Sequence, residues 1–244
     1  WCVPKYSNPT GITFSDSAVE SLATMKTAAS DFRIFWDNAY MVHGLYDEDD
    51  KLKNIFDVAR KAGTMNRIYS FASTSKITFA GSGISAIAAS EENIKDIMAK
   101  MFFKCINANK VNQVMHVNFL KNADGVREVM KKHAALLRPK FELLDRKFTE
   151  AFDGDQYVKW SKPRGGYFIS VDVKSCAKRI VELAATAGVK FTAAGATFPY
   201  KLDDMDSNIR VAPSVPSLEE MEFAIDVMIS AIRQARMELV LSKS

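Results

Sequence analysis

The chain has 244 residues, 48% hydrophobic and 25% charged, an ordinary globular composition with ample material for a core. Its net charge of +4 is modest, and the basic residues from Lys131 to Lys147 are mixed with Glu128, Glu142, Asp145 and Glu150, which makes a solvated helix face and excludes a nucleic-acid stripe. Cys2, Cys105 and Cys176 are odd in number and far apart, which excludes a disulfide framework and a zinc site, while no apolar run approaches a membrane span and no secretory signal is visible, so a cytoplasmic protein is expected.

In chain order, the pattern predicts a strand over residues 1–6 and a helix to about residue 29, opened by Ser17 and Glu20 as a capping box. A buried strand over 32–36 follows, then a helix over 51–62 closed by Gly63. Strands over 67–71 and 84–89 and a helix over 91–109 complete this part. Apolar strands separated by helices predict an α/β fold: a mostly parallel sheet with helices on both faces. A long helical segment over 117–152 carries Met130, Ala134, Leu137, Phe141, Leu144 and Phe148 as one apolar stripe. Pro139 removes the bond to the Ala135 carbonyl, so a kink is expected there. That segment reads as a bridge to a smaller α+β domain, with strands near 166–171 and 208–211 and a helix near 177–187. Its last helix starts at Ser217, again in a capping box with Glu220, and buries Met221, Ile225, Met228, Ile232 and Ala235. The expected organisation is residues 1–112 in a large domain, 113–152 as the connecting helix and 153–244 as the small domain.

The most telling stretch is Ser73-Thr74-Ser75-Lys76, which runs on to Gly81-Ser82-Gly83. A lysine loses its proton readily when desolvated or placed near positive charge and then becomes a nucleophile. Hydroxyls and the exposed N–H groups of a glycine turn can bind a phosphate beside it. Three further segments fit a phosphorylated aldehyde: Asn8-Pro9-Thr10-Gly11, Asp37-Asn38-Ala39-Tyr40 after a strand, and Asn208-Ile209-Arg210. In this order the set resembles the fold-type-I aminotransferases that use pyridoxal 5'-phosphate (PLP). The wording Ser-Thr-Ser-Lys-Ile-Thr-Phe-Ala-Gly, with Trp-Asp-Asn-Ala-Tyr upstream, further resembles the MocR-type, aspartate-aminotransferase-like subgroup.

The resemblance implies transamination between an amino acid, with aspartate or another acidic one as donor, and a 2-oxo acid. It makes Lys76 the Schiff-base lysine and the acid–base group of the proton shuttle. Asp37 would sit under the pyridine nitrogen, and Tyr40 and Asn8 would hydrogen-bond the ring's phenolic oxygen. Ser73 and Ser75, with Gly81 and Gly83, match positions near the phosphate. Many members carry an arginine just after the glycine turn, where this chain has Gly83-Ile84-Ser85. Arg210 matches the arginine that grips the substrate α-carboxylate, because its planar fork suits a carboxylate bidentately. Gly165-Gly166-Tyr167-Phe168 resembles a strand entry and reads as scaffold.

Other readings fare worse. Ser73-x-x-Lys76 also fits a penicillin-binding pattern, but its Ser-Asp-Asn and Lys-Thr-Gly partners are missing. Gly81-x-Gly83-x-x-Ala86 needs a helix where a strand is expected. Asp204-x-Asp206-x-Asn208 lacks the glycine and glutamate of a calcium loop. His43, His116 and His133 show no metal spacing and read as structural. Two competitors stay open: a PLP-dependent lyase on the same scaffold, and the PLP-binding sensor half of a transcription regulator. The resemblance also implies a homodimer. Because the chain starts at Trp1, it is expected to be the C-terminal portion of a longer enzyme and inactive alone.

Overall fold

Ser15 accepts a hydrogen bond from the Ala18 N–H and so starts helix α1 (Asp16–Thr24), two residues before the expected cap. The computed structural model to which this helix belongs describes residues 1–242. Strand β1 (Ile34–Asp37) buries Ile34 and Trp36 and turns Phe35 the other way. Helix α2 (Ile55–Ala62) begins where Asn54 accepts the Phe56 N–H and stops at Gly63. Strand β2 (Ile68–Ser73) runs parallel to β1, with Ile34 opposite Ile68. Strand β3 (Ser85–Ala89) returns antiparallel to β2, with Ser73 opposite Ser85.

This sheet, ordered β1-β2-β3, is therefore mixed rather than mostly parallel. Residues 74–84 connect β2 to β3, and a parallel crossover needs a dozen or more residues and usually a helix, so the chain can only turn straight back. The strand expected over residues 1–6 shrinks to a parallel bridge between Cys2 and Trp36. Pro4 has no N–H to continue the ladder, and Tyr6 sits at φ +50°. Helices α1 and α2 pack on one face of the sheet. Val19 and Ala23 of α1 and Ile55 and Ala59 of α2 form a core with Ile34, Trp36 and Ile68. The opposite face carries a stack of Trp1, Phe35, Phe71 and Tyr69, with ring centroids 5.5–5.9 Å apart, and Trp1 remains 78% exposed.

Helix α3 (Glu91–Lys104) is capped by Ser90 and ends at Cys105, short of the expected residue 109. The long segment after it is two helices, α4 (Lys110–Leu120) and α5 (Ala123–Phe152). The break falls at Lys121, φ +63°, where Asn122 Oδ1 accepts the Asp124 and Gly125 N–H groups and starts α5 afresh. Pro139 lies inside α5, which continues to Phe152. The two helices approach so closely at their junction that a Cβ on Gly125 would lie 1.8 Å from the Leu120 carbonyl oxygen. Gly125→Ala is therefore expected to destabilise the fold by about 3 kcal/mol, read by denaturant unfolding.

Residues 1–7 with 12–133 form one compact unit, and Asn8–Gly11 with the chain from Ala134 onward form another. In the second unit β4 (Val158–Trp160), β5 (Ile169–Val173) and β6 (Asn208–Val211) make an antiparallel sheet in that order. Helices α6 (Ala177–Thr186) and α7 (Leu218–Leu241) complete it. The capping box of Ser217 and Glu220 opens α7 as expected, and Met221, Ile225, Met228, Ile232 and Ala235 are all buried. Leu137, Phe141, Leu144 and Phe148 of α5 are buried too. Among the described residues, no helix is long and apolar enough to cross a membrane.

Candidate functional site

In the first unit, the ends of β1 and β2 bring Asp37, Tyr40 and the Lys76 loop together. Asp37 lies opposite Phe71 in the sheet, and the next residue, Asn38, donates its backbone N–H to the Phe71 carbonyl at 2.8 Å. The Asn38 side chain donates to Ser70 Oγ, also at 2.8 Å, so the exit from β1 is tied to β2 twice. Two residues on, Tyr40 is buried, and the Lys76 Nζ lies 5.2 Å from the centre of its ring.

Lys76 itself sits exposed within one helical turn, since the Thr74 carbonyl accepts the Ile77 and Thr78 N–H groups at 2.9 Å each. The loop is closed at its base, where the Thr74 N–H donates to the Ile84 carbonyl and the Ile84 N–H to Thr74 Oγ1, both at 2.9 Å. Ser73 Oγ accepts the Ser75 N–H. Gly83 passes directly over Ser75: a Cβ there would meet Ser75 Oγ at 3.0 Å and its N at 3.1 Å. Gly81 has φ +81°, in the left-handed region. The loop thus gathers an amine, two hydroxyls and a glycine-lined backbone, with a carboxylate and a phenol from the end of β1. As a donor set, this fits a phosphorylated aldehyde carrying a basic ring nitrogen.

His43 is buried against this group. Its ring meets Tyr40 edge-on at 5.6 Å, and its Nε2 lies 3.3 Å from the Lys76 carbonyl, which can only accept, so Nε2 carries the hydrogen. Burial lowers the His43 pKa to about 4, helped by the positive field of His133 and Lys76 and opposed by its backbone hydrogen bonds. The unfolded chain therefore takes up a proton near pH 6.5 that the folded chain refuses until about pH 4. Stability from this group is fully present above pH 6.5 and is lost as the pH falls toward 4, by about 3 kcal/mol in all. Comparing denaturant unfolding of the wild type and His43→Gln at pH 7 and pH 4, the wild type is expected to lose about that much relative to the variant.

In the second unit, β6 presents Arg210 on the face opposite the buried Ile209 and Val211. Its Nη1 donates to Asn8 Oδ1 at 3.2 Å and its Nη2 to Thr192 Oγ1 at 3.3 Å. The guanidinium lies 4.6 Å from the Phe168 ring centre, so Phe168, read from sequence as scaffold, also orients the arginine. Among the described residues, the Arg210 Nε is buried without a hydrogen-bond partner and no carboxylate pairs with Arg210. A cavity of about 970 Å³ opens beside it, lined among others by Thr192, Lys190, Phe191 and Val215. A half-buried cation with long, neutral hydrogen bonds and one unused N–H is well placed to accept a carboxylate.

Asn208 holds this strand in place. Its amide donates to Ser170 Oγ at 2.8 Å and Asp172 Oδ1 at 2.7 Å, and its N–H donates to Asp203 Oδ2 at 3.0 Å. Burial works to raise the Asp203 pKa, but the N–H bonds from Ser207, Asn208 and Met205 outweigh it and hold the carboxyl below its ordinary range. Asp206 accepts the Lys178 N–H. Among the described residues no cluster of three or more His, Cys, Asp or Glu side chains is placed to hold a metal.

Of the nine residues singled out from sequence, Asp37, Tyr40, Ser73, Ser75, Lys76, Gly81 and Gly83 thus lie in the first unit, and Asn8 and Arg210 in the second. His43, His116, Thr192 and Phe168 were not among them. The threonines beside Lys76 were visible in its motif, but nothing in the sequence linked them to a histidine some 40 residues away.

A family model described as aspartate amino-transferase matches residues 1–243. A protein of Mycolicibacterium smegmatis is 46% identical over 242 residues, which cover 99% of this chain and 56% of that relative. An aspartate aminotransferase of Corynebacterium glutamicum is 44% identical over 243 residues, 98% of this chain and 55% of the relative. The crystal structure of an aspartate transaminase from the same species superposes with a TM-score of 0.94 at 43% identity, over 98% of this chain and 56% of that one. At 19% identity, the α-aminoadipate aminotransferase of Thermus thermophilus, solved with N-(5'-phosphopyridoxyl)-L-leucine, shares the fold with a TM-score of 0.75 over 96% of this chain and 58% of that one. The chain thus spans about half the length of the curated relatives it matches.

Proposed function

The chain belongs to the aspartate amino-transferase family, and from that premise we propose that the full-length protein is a PLP-dependent aminotransferase of fold type I, of which these residues form the C-terminal portion. The observation that carries this reading is the exposed Lys76, held in a closed turn with its amine over the Tyr40 ring and the Ser73 and Ser75 hydroxyls just before it.

PLP, when bound, withdraws electrons from the substrate's Cα and so loosens its C–H bond. The remaining work falls to this chain's side chains. The Lys76 amine captures the aldehyde and later takes and returns the Cα proton. The Ser73 and Ser75 hydroxyls, with the N–H groups around Gly81 and Gly83, bind the phosphate without an arginine from this loop. The Asp37 carboxylate would keep the ring nitrogen protonated, and Tyr40 would hydrogen-bond the ring oxygen. Arg210 turns its guanidinium to the substrate α-carboxylate and so fixes the direction of the Cα–H bond.

The substrates are an amino acid and a 2-oxo acid, with an acidic amino acid such as aspartate as the donor that the similarity to aspartate aminotransferases favours. The resemblance also supports a homodimer in the full-length protein. A transamination assay of the full-length protein with PLP, 2-oxoglutarate and a panel of amino acids tests this reading. Glutamate formation from aspartate is expected. No amino-group transfer from any donor would overturn it.

A further inference from the structure

His116 is the one buried polar residue on an otherwise exposed stretch of α4. It is 6% exposed, between Met115 at 54% and Val117 at 63%. Its imidazole is fixed from both ends. The Nδ1 lies 2.7 Å from the Asn112 carbonyl, one helical turn back, and a carbonyl only accepts, so Nδ1 carries the hydrogen. The orientation of the ring is thereby set by its own helix. The other nitrogen, Nε2, then reaches the loop after β2 and meets two hydroxyls at once, Thr78 Oγ1 at 2.7 Å and Thr74 Oγ1 at 2.9 Å.

Those threonines stand two residues before and two residues after Lys76. Thr74 is also the hinge of the loop: its Oγ1 accepts the Ile84 N–H, and its carbonyl accepts the N–H groups of Ile77 and Thr78. One imidazole therefore ties both ends of the Lys76 turn to a separate helix. We propose that His116 is a positioning residue that holds the Lys76 turn ready for capture of the aldehyde.

This inference rests on the reading of Lys76 given above. A lysine on a loose loop must lose backbone freedom each time it closes on an aldehyde, and ordering the loop beforehand removes that cost from the capture step. The Thr78 hydroxyl also lies 3.2 Å from the Thr74 carbonyl, so the two threonines are tied to each other as well as to the ring. His116 touches neither Lys76 Nζ nor Tyr40 among these contacts, so its effect travels through the backbone of the turn.

The test uses the full-length protein stripped of cofactor and mixed with PLP. Capture is followed by quenching with borohydride at set times. The Lys76 amine condenses with the aldehyde and water leaves; hydride then adds to the C=N carbon and fixes a secondary amine for peptide mapping. His116→Leu and Thr78→Val are each expected to slow labelling of Lys76 about tenfold. The double variant is expected to be no slower than either single one, because both break one contact. His116→Gln, whose amide can still reach the hydroxyls, should recover most of the rate. A merely structural role would lower the unfolding midpoint of His116→Leu while leaving the labelling rate of the folded fraction unchanged, and that result overturns the proposal. If His116→Leu fails to fold, wild-type labelling in Thr78→Val overturns it equally. Wild-type protein that carries its label elsewhere than on Lys76 would instead bring down the reading on which the proposal stands.

Discussion

Lys76→Ala is expected to abolish the pyridoxyl label on the peptide spanning residues 73–79 and to lower transamination by the full-length protein about 10⁴-fold. Two roles are lost together. The alanine variant cannot hold the aldehyde, and no other group is placed in this loop to carry the Cα proton, a transfer worth about 10²–10⁴-fold by itself. The fold should hardly notice. Lys76 is exposed, and its contact with the Tyr40 ring is of the kind worth about 0.5–1 kcal/mol. An unfolding curve close to wild type, combined with loss of label and activity, separates chemistry from stability. A variant that still labels at another lysine with near-normal turnover would show that Lys76 is not the amine concerned.

Arg210→Ala should have the next largest effect, and of a different kind. The wild-type guanidinium is steered by Asn8, Thr192 and the Phe168 ring, and it keeps a buried Nε in reserve. Removing a charged partner of a desolvated carboxylate costs about 3 kcal/mol, so kcat/KM should fall about 10²-fold for both amino and oxo acid. Labelling of Lys76 by PLP alone should stay at the wild-type level, because that step involves no substrate carboxylate. Arg210→Lys is expected to recover little, since an ammonium offers a point charge in place of a fork. Unchanged kinetics in Arg210→Ala would show that the carboxylate is held elsewhere.

These two variants act on residues that stood out in the sequence, as did Asn8 beside Arg210, whereas Thr192, Phe168 and the two histidines that also hold them did not. Lys76 and Arg210 could be named because their chemistry is local, a lysine among hydroxyls and glycines and an arginine in an Asn-x-Arg strand. Helix α7 was equally legible, since its capping box and its buried stripe both arise from residues within one helix. Likewise, β6 was read at its correct bounds, 208–211, because alternation along a strand is a property of the strand itself.

What tertiary structure decided are the features that join distant parts of the chain. The antiparallel β3 follows from a loop too short to cross over, which becomes visible only once β2 and β3 have their true ends. The break before α5 depends on Gly125 pressed against the Leu120 carbonyl, a contact between two helices. Phe168 looked like scaffold until the sheet brought it under Arg210, 42 residues later in the chain. His43 and His116, read as bland histidines, both turn out to brace the Lys76 turn, one at its carbonyl and the other at its threonines. Sequence by itself determined which side chains stand as candidates for capturing an aldehyde and a carboxylate, because reactivity resides in side-chain type and immediate neighbours. Only folding decided what holds those groups still, because a hydrogen bond across some 40 residues leaves no periodicity for the sequence to display.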